Sequence, residues 1–362
     1  MMEPEQMAIN QMVDESAAAD NAEQAGSGRR SGAHSRLAGT GDFLPRAAIP
    51  FLLVACFALF SILSPHLFFT WTNVRIMISA QATVLLLALA ATIPLRAGDF
   101  DLSIGAVMIL SGSAVGLLYG HGAPVIVCFI VPLGIGLFIG LMNCLFVVKF
   151  GLNSLIVTLG MLTLLSGITN YLTGDNLVTT IPHAVEALAN TRLLTLPYIV
   201  WIGWLVAFLI WIVFEFTPLG RYLLFLGGNP TAAVLAGLRV SALRCGAFLA
   251  CAIISALAGI LLAGSLGSVD PSSAGSYLLP PFTAAFLGTT MIQLGRFNVG
   301  GTLVGLYLLA VGITGLQLLG VQGWVTDVFN GAALIVAIAF ARLFEVRGIG
   351  RARRTAAKRV GP

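Results

Sequence analysis

Ten apolar runs, most of them close to the length that crosses a bilayer, alternate with short polar breaks along this chain. They cover 47–64, 76–95, 102–120, 123–148, 152–172, 197–216, 246–264, 278–295, 299–321 and 324–341. A helix needs about 20 apolar residues to cover roughly 30 Å of hydrocarbon. The pattern therefore predicts an all-α polytopic membrane protein with about ten transmembrane segments. Charge usage agrees. Only 9% of the 362 residues are charged, whereas a soluble domain carries about 25%. That excludes a soluble globular enzyme and a disordered chain. The 41 glycines suit helices that pack closely in lipid.

The distribution of Lys and Arg orients the runs. With the N-terminus inside, the cytoplasmic breaks hold Arg96, Lys149, Arg221, Arg239, Arg244 and Arg296. The end of the chain adds Arg342, Arg347, Arg351, Arg353, Arg354, Lys358 and Arg359. The external breaks hold only Arg75 and Arg192. This is the positive-inside bias, and it places both termini in the cytoplasm. It also accounts for the net charge of +4 without nucleic acid as a partner. Residues 1–46 read as a disordered cytoplasmic tail, 47–341 as one membrane domain, and 342–362 as a basic cytoplasmic tail. The third run is rich in Gly and Ser, and Pro280 and Pro281 open the eighth. These two are expected to be broken or only partly spanning, which requires protein or a polar cavity to satisfy the freed backbone.

Several chemistries are missing. No G-x-x-x-x-G-K stretch cradles phosphate, and no H-E-x-x-H or G-x-S-x-G occurs. His34, His66, His121 and His183 are scattered, and Cys56, Cys128, Cys144, Cys245 and Cys251 have no metal spacing. The cysteines read as small apolar residues, and neither a metal nor a cofactor is expected. Between 51 and 340 the acids are Asp99, Asp101, Asp175, Glu186, Glu215, Asp270 and Asp327, mostly in breaks or at run ends. Ion-coupled carriers usually keep ionisable groups within their spans. The chain thus reads as a passive path driven from elsewhere.

Three polar features remain. Gly98-Asp99-Phe100-Asp101-Leu102-Ser103-Ile104-Gly105 sets two carboxylates between two runs. Asp101 and Ser103 are placed to cap the third helix; a sugar ligand or gate at a broken helix is the other reading. Residues 217–245 form a break on the basic side. There Gly227-Gly228-Asn229-Pro230 reads as a turn, with Asn229 as cap of a short helix running to Leu238. That helix suits a partner's groove. In 265–281, Ser272, Ser273 and Ser276 could meet substrate hydroxyls or merely line an external loop. Small-residue stripes at Gly112/Gly116/Gly120, Gly136/Gly140 and Gly301/Gly305 mark close helix contacts. Gln81, Thr83, Asn143, Thr158, Thr163 and Asn170 are candidates for an uncharged substrate path.

Four stretches carry a resemblance, in order: GDFDLSIGAVMILSG (98–112), SLIVTLGMLTLLSGITNYLTG (154–174), GRYLLFLGGNPTAAVLAGLRV (220–240) and GRFNVGGTLVGLYLLAVGITGLQLLGV (295–321). Together they resemble the permease subunits of bacterial ATP-binding-cassette importers, in the ribose/xylose/galactose-type branch. The departures mark a divergent sub-branch. Asn153-Ser154-Leu155 stands where the family usually has Pro before I-V-T-L-G, and Pro230 stands where it usually has an acid.

The resemblance implies a multi-pass permease of the bacterial inner membrane that moves a monosaccharide or related polyol by alternating access. It implies no catalysis in this chain. An ABC ATP-binding subunit would bind the inner face, and a periplasmic or lipid-anchored sugar-binding protein would deliver solute outside. A second permease subunit would complete a homodimer or heterodimer in the lipid bilayer. By residue matching, Gly227, Gly228, Asn229, Ala232, Ala233, Ala236 and Gly237 belong to the ATPase-coupling loop, and Gly98, Asp99, Asp101, Ser103 and Gly105 to the first signature. An ion-coupled secondary sugar carrier is the alternative. An intramembrane enzyme using Asp99 and Asp101 ranks below both, because two carboxylates two residues apart diverge.

Overall fold

A computed structural model describes residues 43–340, with side chains from residue 49 onward. The expected tails at 1–46 and 342–362 lie almost entirely outside the described residues. Of the two compact units, Met1–Pro45 and Arg46–Pro362, the second holds everything below.

Each apolar run contains a helix. In chain order these are α1 (Ile49–Leu63), α2 (Trp71–Ala80), α3 (Ala82–Arg96), α4 (Ile104–Gly120), α5 (Val125–Cys144) and α6 (Ser154–Thr173). After α7 (His183–Asn190) come α8 (Tyr198–Phe216), α9 (Pro218–Gly228), α10 (Pro230–Leu235), α11 (Val240–Leu266), α12 (Leu279–Gly288), α13 (Val299–Leu318) and α14 (Trp324–Phe340). The architecture is all-α, apart from a hairpin of two two-residue strands, β1 (Arg192–Leu193) and β2 (Leu196–Pro197). By length and composition, five helices among the described residues can cross a membrane: α5 with its π turn Leu145–Lys149, α6, α8, α11 and α13. α2 and α3, bent by 42° at Gln81, are long and apolar enough together for a sixth, as a broken span or a re-entrant loop. No residue of the run 76–95 announced this bend. The eighth run is interrupted, α12 ending at Gly288; the third run holds one unbroken but short helix, α4, and the break lies before it, at 97–103.

Packing follows from where the small residues lie. Lipid tails are as apolar as Leu, so helices associate through close contact rather than hydrophobic expulsion. A Cβ on Gly259 of α11 would fall on the Met108 carbonyl of α4, and one on Gly112 would lie 2.8 Å from the Gly259 carbonyl. Gly136 and Gly140 of α5 meet Ala252, Ala256 and the Phe248 carbonyl of α11. Gly301 and Gly305 of α13 meet Gly288 and Ala284 of α12. The expected stripes are real contact surfaces, although Gly120 meets only Thr180 loosely. α3 is buried on nearly every side, with Val84 the exception. The outward faces of α5, α6 and α8 carry exposed Ile130, Phe138, Ile156, Leu164, Leu205 and Phe208, a coat suited to lipid.

One sequence reading needs correction. Cys144, ending α5, and Cys245, near the start of α11, form a disulfide rather than standing alone as small apolar residues. Their sequence separation of 101 gives no spacing signal. Ser272 and Ser273 turn inward to their own loop. Both hydroxyls donate to Asp270, to Oδ1 at 2.7 Å and to the carbonyl at 2.7 Å. The Ser272 hydroxyl and N–H hold the Asp270 carboxyl below its usual range.

Candidate functional site

The break at 97–103 starts as a helix C-terminus. Asp99 N–H donates to the Pro94 carbonyl at 3.0 Å and Gly98 N–H to that of Leu95 at 3.1 Å, with Gly98 left-handed at φ +88°. This is the double-bonded cap that glycine favours. The extended piece is then pinned to the first turns of α6. Ser154 Oγ accepts from Phe100 N–H at 3.2 Å, and Thr158 Oγ1 accepts from Leu102 N–H at 3.0 Å. Two N–H groups freed by the break are thus satisfied by side chains of α6.

The two carboxylates of the break face different partners. Asp99 takes a bidentate pair from Arg244 of α11, with Nε to Oδ2 at 2.7 Å and Nη2 to Oδ1 at 2.6 Å. Asp101 is buried, and its Oδ1 accepts from Ser103 N–H at 3.0 Å and Ser103 Oγ at 2.5 Å. Asn143 of α5 donates to Ser103 Oγ at 3.0 Å, and its own Oδ1 has no partner among the described residues. Asp101 therefore closes a turn onto Ser103 ahead of α4 and accepts from none of the helix's first-turn amides, so it does not cap as expected. Ser103 occupies the cap position but makes no capping bond, because its hydroxyl is spent on Asp101. Gly105 lets the backbone of 274–277 lie against α4; a Cβ there would sit 2.6 Å from the Ala274 carbonyl.

A sequence reading that treats Arg96 as a topological charge misses its role. It is buried and donates to three carbonyls: Gly220 at 3.2 Å, Phe297 at 3.0 Å and Phe214 at 3.3 Å. Its guanidinium lies 4.3 Å from the centre of the Phe214 ring. One side chain so ties the end of α3 to α8, to α9 and to the loop before α13. The signal was present: an arginine ending an apolar run is costly without partners.

The polar break expected at 217–245 is mostly helix, and the expected turn at Gly227–Pro230 is the corner between α9 and α10. α9 runs to Gly228, and Asn229 then caps α10, accepting from Ala232 N–H at 3.0 Å with Pro230 in the first turn. α10 stops at Leu235, three residues short of expectation. The coupling-loop candidates divide. Ala233 is buried against its own chain, and a Cβ on Gly227 would strike the Arg96 carbonyl. Gly228, Asn229, Ala236 and Gly237 are exposed, and Ala232 is half-buried. Val234 and Leu235 project outward at 60% and 84% exposure. Asn229→Ala removes about 1 kcal/mol of capping. Hydrogen exchange of the α10 amides should then quicken about fivefold, and an unchanged rate would deny the cap.

The path candidates do not converge. Asn143 and Thr158 join the break, as above. Gln81 lines a cavity of about 380 Å³ beside Asn73 and Asn330, and Thr83 lines a different one. Thr163 is exposed and bonds its own helix at Leu159, while Asn170 is half-buried with Oδ1 unpartnered.

Residues 74–338 match the family described as branched-chain amino acid transport system / permease component. The ribose import permease protein RbsC of Escherichia coli strain K12 is 29% identical over 290 residues, covering 79% of this chain and 90% of that protein. RbsC of Bacillus subtilis strain 168 is 30% identical over 293 residues, 80% of this chain and 90% of its own. The autoinducer 2 import system permease protein LsrD of Escherichia coli strain SMS-3-5 is 30% identical over 259 residues, 70% and 78% respectively. No solved structure matches. Because the match runs from α2 into α14 and covers well over half of the chain, the chain belongs to the branched-chain amino acid transport system / permease component family.

Proposed function

We propose that this chain is the membrane subunit of an ATP-driven importer carrying a monosaccharide or related polyol across the bacterial inner membrane by alternating access. It crosses ten times, with the tails 1–46 and 342–362 in the cytoplasm. A second permease subunit completes the pair, a separate ABC subunit hydrolyses ATP, and a periplasmic or lipid-anchored protein delivers the solute. The relatives' names, ribose import and autoinducer 2 import, support the substrate class.

One observation carries the reading. The α9–α10 elbow exposes Val234 and Leu235 yet rests directly on the break, with a Cβ on Gly98 only 3.3 Å from the Gly227 Cα. A push on the elbow from a docked ATPase would reach the end of α3 and the Asp99–Arg244 pair without an intermediary. The exposed face at Gly228–Gly237 is the docking surface, and Gly98–Gly105 is the element it moves.

Gly228→Arg tests this. A Cβ there meets nothing within 4 Å, so the variant folds normally. Its charge would be desolvated without a partner in the docked complex, which costs several kcal/mol and should cut ATP-driven uptake by about tenfold or more. Undiminished uptake by Gly228→Arg would remove the docking assignment, and uptake by the chain alone on an ion gradient would remove the importer reading.

A further inference from the structure

At the end of the bundle away from the elbow, a cavity of about 430 Å³ opens between α2, α3, α11 and the β1–β2 hairpin. That volume lies within the usual range of about 300–1,000 Å³ for small-molecule sites. Arg75 of α2 and Arg192 of β1 both line it. They are the two basic residues that the charge pattern assigns to the outer side; the other Lys and Arg of the described residues gather at the elbow end. No acidic side chain lines the cavity, and among the described residues neither guanidinium has an ion-pair or hydrogen-bond partner. Two like charges sharing one recess repel each other, and an anion placed between them relieves this.

The remaining polar lining suits hydroxyls. Thr83 is buried, with its hydroxyl uncommitted, and the Tyr277 hydroxyl is likewise unpartnered among the described residues. Ser79 Oγ donates to the Arg75 carbonyl at 2.7 Å, and Asn190 Nδ2 donates to that of Gly264 at 2.8 Å, so both keep oxygens free to accept. Tyr277, which lines the cavity, belongs to the segment packed on Gly105 of α4. A larger cavity of about 700 Å³ beside α8 and α9 is lined by Leu209, Val213, Leu219, Leu238 and Leu243 and offers a polyol little to bond.

We infer that the outer cavity receives the transported solute and selects a polyhydroxylated anion, a sugar acid or a sugar phosphate, over a neutral sugar. This rests on the permease reading and names its substrate class. Arg75 and Arg192 hold the anionic group, and the Thr83 and Tyr277 side meets the hydroxyls.

The test uses the purified full-length chain in phosphatidylcholine nanodiscs, titrated with sodium gluconate, ribose 5-phosphate or D-ribose and read by intrinsic tryptophan fluorescence. At least one anion should bind saturably and about tenfold or more tighter than D-ribose, the worth of one charge-assisted contact. Arg75→Gln and Arg192→Gln should each erase that preference, while Lys149→Gln, an equal charge change on the exposed far side of α5, leaves it intact. Gluconate against ribose 5-phosphate tells a carboxylate from a phosphate preference. The inference falls if D-ribose binds as tightly as both anions, or if none of the three binds and the arginines serve an acidic face of the delivering protein. It also falls if phosphatidylglycerol nanodiscs abolish the anion response, which would make this a lipid headgroup site. None of these failures touches the docking assignment, which Gly228→Arg tests through uptake.

Discussion

Gly259→Leu should yield almost no monodisperse protein. Gly259 sits where α11 crosses α4, and a Cβ there would fall on the Met108 carbonyl and lie 2.9 Å from the Gly112 N–H. Both neighbours are backbone, so no side chain can swing aside. Overpacking typically costs about 1–3 kcal/mol where side chains can adjust, and more where they cannot. Separating the two helices also strips the contacts of Ile260, Ala256 and Ala263, all fully buried. Little compensates in lipid, where apolar surfaces already have apolar neighbours. The check is fluorescence-detected size exclusion in detergent, with Gly228→Leu as the control because its site is open. The α4–α11 crossing is refuted if Gly259→Leu elutes and melts like the parent chain.

How much of this was readable beforehand follows from the range of each interaction. Run lengths located the helices because burial in hydrocarbon is set by consecutive residues. The α10 cap was readable because Asn229 and Pro230 act on the helix they begin. The partners of the break were not. Arg244 lies 145 residues from Asp99, and Asn143 lies 42 from Asp101. Nothing local marks such a pairing. The small-residue stripes announced close approach without naming the facing helix. The bend at Gln81 had neither Gly nor Pro to announce it. The outer cavity was legible only in retrospect: Arg75 and Arg192 stood out as exceptions to the charge bias, and the fold brings them together.

Arg244→Ala should destabilise the protein more than Asp99→Ala, and the difference is diagnostic. The Asp99 side chain is 6% exposed and that of Arg244 28%. Removing the arginine strands a carboxylate in a buried position, a loss of about 3 kcal/mol. Removing the carboxylate leaves a long side chain that can turn its charge toward water, at about 1 kcal/mol or less. The double variant Asp99→Ala/Arg244→Ala discards the stranded charge and should recover most of the loss. A double-mutant cycle on melting midpoints measures the coupling. Transport should separate from stability here. The pair joins the break to the start of α11, one residue before the Cys144–Cys245 disulfide. If it holds the break in position for the elbow, the double variant regains its melting midpoint but not its ATP-driven uptake. Equal destabilisation by the two single variants would mean that Asp99 reaches water, and full uptake by the double variant would leave the pair a structural tie alone.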